Sequence, residues 1–140
     1  MKTAYASLAT ALFLTGCWGA PPNEKLLTQA CSTLFEGDPE LVMEFTGENA
    51  SITLDSFCSC YGASFANAPE RTGLHKDILN ALNVARKETG GDVDRAARKV
   101  ADAISAGTID TFTGAQLNDV GEYFEEVGES MNPNGQCPAA

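Results

Sequence analysis

Ile52-Thr53-Leu54-Asp55-Ser56-Phe57-Cys58-Ser59-Cys60-Tyr61-Gly62-Ala63-Ser64-Phe65 is the stretch that decides the fold of this chain. The Thr53 hydroxyl suits a helix N-cap, where it accepts one of the unpaired N–H groups of the first turn. Ile52 and Phe57 stand at the two positions of a hydrophobic staple around it. The spacing predicts a helix beginning at Thr53 that carries Leu54, Phe57, Tyr61 and Phe65 on one apolar face. It ends at Ala68-Pro69, because the residue before a proline avoids the α region. On such a helix Cys58 and Cys60 lie about 200° apart around the axis, so their sulfurs leave from opposite sides and reach different elements.

Helix signals continue on both sides. Upstream, Asn23 is a candidate N-cap for a helix with Leu27, Ala30, Cys31 and Leu34 on its apolar face, ending at Gly37. Asp38-Pro39-Glu40 places a cap, a proline at the first helical position and an acid in the first turn. A short helix through Leu41, Val42 and Phe45 follows and stops at Gly47. Gly47 to Ser51 reads as a loop. Downstream, Leu74, Ile78, Ala81, Leu82 and Ala85 recur on a 3.6-residue period up to Gly90-Gly91. Asp92 caps the next helix, with Val93, Ala97, Val100 and Ile104 inward and Gly107 past its end. Thr113 and Gln116 form a capping box inside a Phe112–Leu117 staple. Leu117, Val120, Phe124, Val127 and Met131 then form a stripe that reads as packing inside one bundle rather than as a zipper with a partner. Gly121 and Gly128, one heptad apart beside the stripe, leave room for a neighbouring backbone. Strand-like alternation is nearly absent. The reading is all-α, a small helical bundle of about five to six helices with a tail from Asn132 to Ala140 pinned by Cys137.

The N-terminal residues read differently. Met1-Lys2 is followed by an apolar run from Ala4 to Leu14, the length of a signal-peptide h-region and too short to span a bilayer. The run closes on Leu14-Thr15-Gly16-Cys17. These four residues resemble the lipobox of bacterial lipoproteins: an aliphatic residue, two small ones and a cysteine. The resemblance covers the first 17 residues and implies that Cys17 becomes a diacylglyceryl thioether and, after cleavage before it, the mature N-terminus. It therefore implies a signal peptide at 1–16 and a lipidated N-terminus at Cys17; a spacer then runs to 22, and the helix signals make 23–140 a single helical domain with a C-terminal tail. Trp18 is not the aspartate that the enterobacterial version of the family's sorting rule reads as inner-membrane retention. In a host with two membranes, the expected location is the periplasmic face of the outer membrane.

With Cys17 taken by lipid, Cys31, Cys58, Cys60 and Cys137 form an even set in a disulfide-permissive compartment. Four cysteines allow three connectivities, and a Cys58–Cys60 bridge would distort the helix that carries both. Cys31 lies on the inward face of its helix, and Cys58 is nearer than Cys60 to the centre of its own. The preferred pairing is Cys31 with Cys58 and Cys60 with Cys137, with the swapped pairing as the alternative. In the chain-entropy account the two closed loops stabilise by at most about 3.5 and 4.5 kcal/mol.

The 140 residues carry 19 acidic and 9 basic side chains, a formal −10. Removal of residues 1–16 takes Lys2 and leaves a formal −11. A body this acidic repels phosphates, which excludes nucleic acid and anionic headgroups as favourable partners for its surface. One compact domain is the default at this length, and no repeat or linker divides it.

Catalytic constellations are not evident. His75, the single histidine, reads as a solvated residue in the first turn of a helix. Cys58-x-Cys60 with His75 has none of the usual zinc-knuckle spacings. Asp92-x-Asp94 lacks the glycine and distal glutamate of a calcium loop and is better read as a cap. Glu122, Glu125, Glu126 and Glu129 read as a solvated helix face. Asn49-Ala50-Ser51 matches a glycosylation sequon, which has little meaning beside a bacterial lipobox. The expectation is a non-enzyme: a lipid-anchored cell-envelope protein with a binding or assembly role. Its only prosthetic group is the lipid on Cys17. Its partners are the membrane, through that lipid, and an envelope protein. The alternative is a thiol–disulfide protein in which Cys58-x-Cys60 cycles.

Overall fold

Six helices follow one another in a computed structural model that describes residues 22–47 and 51–138: α1 (Pro22–Phe35), α2 (Pro39–Thr46), α3 (Leu54–Ala63), α4 (Pro69–Glu88), α5 (Val93–Ser105) and α6 (Gly114–Ser130). A short 3-10 turn, Ser64–Asn67, joins α3 to α4. No strand occurs among the described residues, so the architecture is all-α. The proposed signal peptide, Cys17 and most of its spacer lie outside the described residues, as do positions 48–50 of the loop and with them most of the sequon.

The caps act as their residue types require. Asp38 Oδ1 accepts the Leu41 N–H at 3.3 Å and opens α2. Thr53 Oγ1 accepts from Ser56 N–H at 3.1 Å while Ser56 Oγ accepts from Thr53 N–H at 2.9 Å. Serine here fills the reciprocal role usually held by Glu or Gln. Asp92 opens α5, and Thr113 with Gln116 forms the expected box on α6. Between α1 and α2, Gly37 turns the chain at φ +81°, a left-handed conformation that costs a residue with a Cβ about 1 kcal/mol or more.

Two boundaries differ from expectation. Pro22 is already helical, so Asn23 lies in the first turn of α1 rather than capping it. Pro69 does more than end the helix before it. It forces Ala68 out of the α region (φ −138°, ψ 58°), the preceding chain tightens into the 3-10 turn, and Pro69 itself occupies the opening turn of α4.

Helix α1 is central. It runs antiparallel to α3, with Cys31 bonded to Cys58 near one end of the contact. Gly62 abuts Glu24 and Thr28 near the other; a Cβ at Gly62 would sit 2.7 Å from the Glu24 carbonyl oxygen. It runs parallel to α4, where Asn83 Nδ2 donates to the Ala30 carbonyl at 3.0 Å. Arg86 Nη1 donates to the Thr33 carbonyl at 2.9 Å, and its Nη2 donates to the Glu36 carbonyl. That guanidinium satisfies carbonyls which the end of α1 leaves unpaired. Helix α5 packs chiefly on α4, and α2 packs on α6.

Four phenylalanines occupy the middle of the bundle. The Phe35 and Phe124 rings stand edge to face at 5.0 Å, and Phe45 and Phe57 complete the group, the latter fully buried. Such contacts add about 0.5–1.5 kcal/mol per pair to the burial itself. Val120, Phe124 and Val127 on α6 and Met131 at its C-cap are buried as expected, while Leu117 at the head of the stripe is half-buried. Of the two glycines beside it, Gly128 receives a backbone: a Cβ there would overlap the Phe45 carbonyl. Gly121 does not, since among the described residues nothing beyond its own helix lies within 4 Å of where its Cβ would be. The reason is that α2 crosses α6 only near its C-terminal end, leaving the preceding heptad uncovered.

Candidate functional site

The cysteines come first. Cys31 is bonded to Cys58, with Cα atoms 5.5 Å apart, and Cys60 to Cys137, at 5.2 Å. The two half-turn neighbours thus go to different elements, Cys58 to α1 and Cys60 to the C-terminal tail, as their opposite azimuths on α3 require. Cys58 is fully buried and Cys60 nearly so. A thiolate attacking the Cys31–Cys58 bridge has to reach sulfur through the core, whereas the Cys60–Cys137 bridge is approached from the exposed tail residue Cys137, and rate in thiol–disulfide exchange depends on access. As all four sulfurs are in disulfides, none is a thiolate that can ligate zinc. Among the described residues no three His, Cys, Asp or Glu side chains are grouped as a metal site needs. Cys17 belongs to neither bridge.

His75 is not where the sequence placed it. Because α4 opens at Pro69, His75 falls in its second turn, on the inward face with Ile78, Leu79 and Leu82, and is 1% exposed. Its Nδ1 lies 2.7 Å from the hydroxyl of Tyr61, itself fully buried on α3. The rings of Phe65 and Tyr123 stand edge-on at 4.6 and 5.3 Å. The polar chain continues outward: Tyr123 donates its hydroxyl proton to Ser64 Oγ, and Ser64 Oγ donates to the Tyr61 carbonyl, both at 2.7 Å. The Arg71 guanidinium caps the cluster, 4.7 Å from the centre of the Tyr123 ring.

Burial sets the protonation of this pair. Loss of water around the imidazole, reinforced by the Arg71 charge and opposed by Asp119, lowers the pKa of His75 from 6.5 to about 4. Burial likewise pushes the Tyr61 phenol far above its ordinary value, so it keeps its proton. At neutral pH the pair is a neutral phenol against a neutral imidazole. With the ring proton on Nε2, Tyr61 donates to Nδ1. Neither group meets solvent, and the arrangement works as a satisfied polar joint between α3 and α4.

An accessible groove of about 530 Å³ lies between α2, α5 and α6. Its floor is Leu34, Phe35, Leu82, Val120 and Phe124. Its walls are Leu41 and Phe45 from α2, Val93, Ala97 and Ala101 from α5, and Leu117 and Gly121 from α6. Asp94, Arg98, Glu122 and Glu125 stand at its edge. The size and the apolar floor under a polar rim are those of a binding cleft. Sequence reading missed it. The available signals were the small-residue row Val93, Ala97, Ala101 at intervals of four on α5, and a glycine at 121 with no large partner.

Glu122, Glu125, Glu126 and Glu129 are all exposed, as expected of a solvated face. Asp92 acts as a cap, accepting the Arg95 N–H at 2.9 Å while pairing with the Arg95 guanidinium at 3.3 Å. No helix among the described residues is long and apolar enough to cross a membrane. Compared with known proteins, the chain matches no family model, no curated protein and no solved structure.

Proposed function

We propose that the chain is a lipid-anchored lipoprotein of the cell envelope whose helical body binds or assembles with another envelope component without catalysing a reaction. The observation that carries this reading is the division of labour among the five cysteines. Four are joined to one another in two disulfides that close the helical body. The fifth, Cys17, is left over by that pairing and stands at the end of the lipobox-like run Leu14-Thr15-Gly16-Cys17. Disulfides of this kind form in the compartment to which such a leader directs a chain. The groove supplies the body with a surface for binding, and the buried Tyr61–His75 pair supplies no accessible acid or base.

The spacer Trp18-Gly19-Ala20-Pro21-Pro22 reaches at most about 20 Å when extended, so the anchor holds the body close to the bilayer. The test is the Cys17→Ser substitution, since an alcohol cannot replace the thiol in a thioether. The wild-type protein is expected to enter the detergent phase and to carry a diacylglyceryl mass on its N-terminal peptide. The variant is expected to remain uncleaved or to become soluble. A variant that still carries the lipid mass overturns the reading.

A further inference from the structure

No described residue fills the groove between α2, α5 and α6. Phe35, Phe45 and Phe124 give it an apolar floor and wall. Gly128 and Gly121 stand one heptad apart on α6. The first lies directly against the Phe45 backbone; the second opens into the groove with nothing within 4 Å of its Cβ position. The bundle therefore contains one worked instance of a backbone crossing α6 at a glycine, and a second position of the same kind with no occupant. A helix laid over Gly121 extends the packing that α2 begins at Gly128.

The rim decides which helix. Asp94, Glu122 and Glu125 edge the groove, and the adjoining surface of α2 adds Glu40 and Glu44. None of these five carboxylates is ion-paired among the described residues, and Arg98 is the one cation that lines the groove. A second copy of this chain would bring an equally acidic rim against this one, and an anionic bilayer would be repelled. Apolar contact below a ring of uncompensated carboxylates is complementary to an amphipathic segment with lysine or arginine flanking its apolar stripe.

We propose that this groove is the docking site for a cationic amphipathic helix of a partner protein, seated across Gly121 with its basic side chains against the Asp94, Glu122 and Glu125 rim. The proposal rests on the non-catalytic binding reading above and names the partner's chemistry.

The test uses the purified protein with the photo-crosslinking residue benzoylphenylalanine at Leu117, inside the groove. As a control the residue is placed at Leu26, an exposed position on α1 outside the groove. The probe is a three-turn leucine–lysine peptide with leucines at i, i+3, i+4 and i+7, compared with its leucine–glutamate counterpart. Saturable crosslinking of the lysine peptide is expected at Leu117 and not at Leu26, falling as salt is raised, with no crosslinking of the glutamate peptide. Gly121→Leu, which the open space tolerates without disturbing the fold, is expected to weaken binding by about tenfold or more. The double change Glu122→Lys and Glu125→Lys, which leaves Asp94, Glu40 and Glu44 against Arg98 and the two new lysines, is expected to abolish the preference for the lysine peptide. Equal crosslinking at both positions, equal capture of both peptides by the wild-type groove, indifference to Gly121→Leu, or crosslinking of the chain to a second copy of itself overturns the proposal. The mass of the same protein's N-terminal peptide separates the two readings. Lipidated protein that fails to crosslink removes the docking site and leaves the anchor; crosslinking by protein without lipid does the reverse.

Discussion

Helices α1, α3 and α4 are joined by a disulfide and by buried or half-buried hydrogen bonds, whereas α5 is held by an exposed ion pair to α4 and the fit of small side chains. The first region has a disulfide between α1 and α3, a second from α3 to the tail, and the Tyr61–His75 hydrogen bond across α3 and α4. On α5 only Ala96 and Val100 are buried, and its far side opens on the groove. The difference teaches where stability and recognition are kept in this molecule. Fixed geometry is concentrated on one side, so the other can leave apolar surface uncovered without loss of the fold.

Removing the covalent part of that contrast should have the largest effect. The two loops do not overlap in sequence, so the entropic contributions add to at most about 8 kcal/mol, comparable with the whole stability of a domain of this size. Reduction under native conditions is expected to abolish the near-UV circular dichroism of the buried aromatic cluster at 25 °C. Retention of that signal with all four thiols titratable would show that packing alone holds the tied side.

Acid should act on the same side. His75 titrates near pH 6.5 when unfolded and near 4 when folded. Between those values the unfolded state binds more protons, so stability falls as the pH is lowered. The contribution is intact above pH 6.5 and lost in full below about pH 4, amounting to at most about 3 kcal/mol. Urea titrations across this window should show the wild-type protein losing stability more steeply than His75→Phe. That variant begins about 1–3 kcal/mol lower because the Tyr61 hydroxyl loses its partner. Parallel curves for the two proteins would mean that His75 is protonated in the native state without penalty.

The smallest and sharpest comparison is between two glycines on one helix. Gly128→Ala places a methyl group against the Phe45 carbonyl and should cost about 1–3 kcal/mol. Gly121→Ala meets open space and, through helix propensity alone, should stabilise by about 0.5–1 kcal/mol. Opposite signs in urea midpoints are expected. Equal losses would show that the groove closes over Gly121 in solution.

Much of this architecture was legible in the residues. The caps at Asp38, Thr53, Asp92 and Thr113 and the α6 stripe are local signals, and local chemistry decides them. The pairing of Cys31 with Cys58 was also within reach, because both sit on inward faces whose direction follows from helical period. Two things were not. His75 was not legible because Pro69 has two roles, ending one helix and opening the next; as an opening residue it shifts the register, and the row His75, Ile78, Leu79, Leu82 then forms a buried face. The groove escaped notice for a different reason. An uncovered surface is a property of how α2, α5 and α6 meet, and residues such as Phe45 and Leu117 look the same in sequence whether a neighbour covers them or not.

The order of the two disulfides along the chain has a mechanical consequence. A covalent path from Pro22 to Pro138 runs along α1 to Cys31, crosses to Cys58, passes Ser59 to Cys60 and crosses again to Cys137. Pulled at its ends, the oxidised chain can extend only roughly 50 Å along this route, against roughly 400 Å for the reduced one. Residues 32–57 and 61–136 hang from the route as closed side loops and bear no tension. The groove-forming parts of α2, α5 and α6 lie in those loops, so a load carried through the molecule bypasses the surface that recognises a partner.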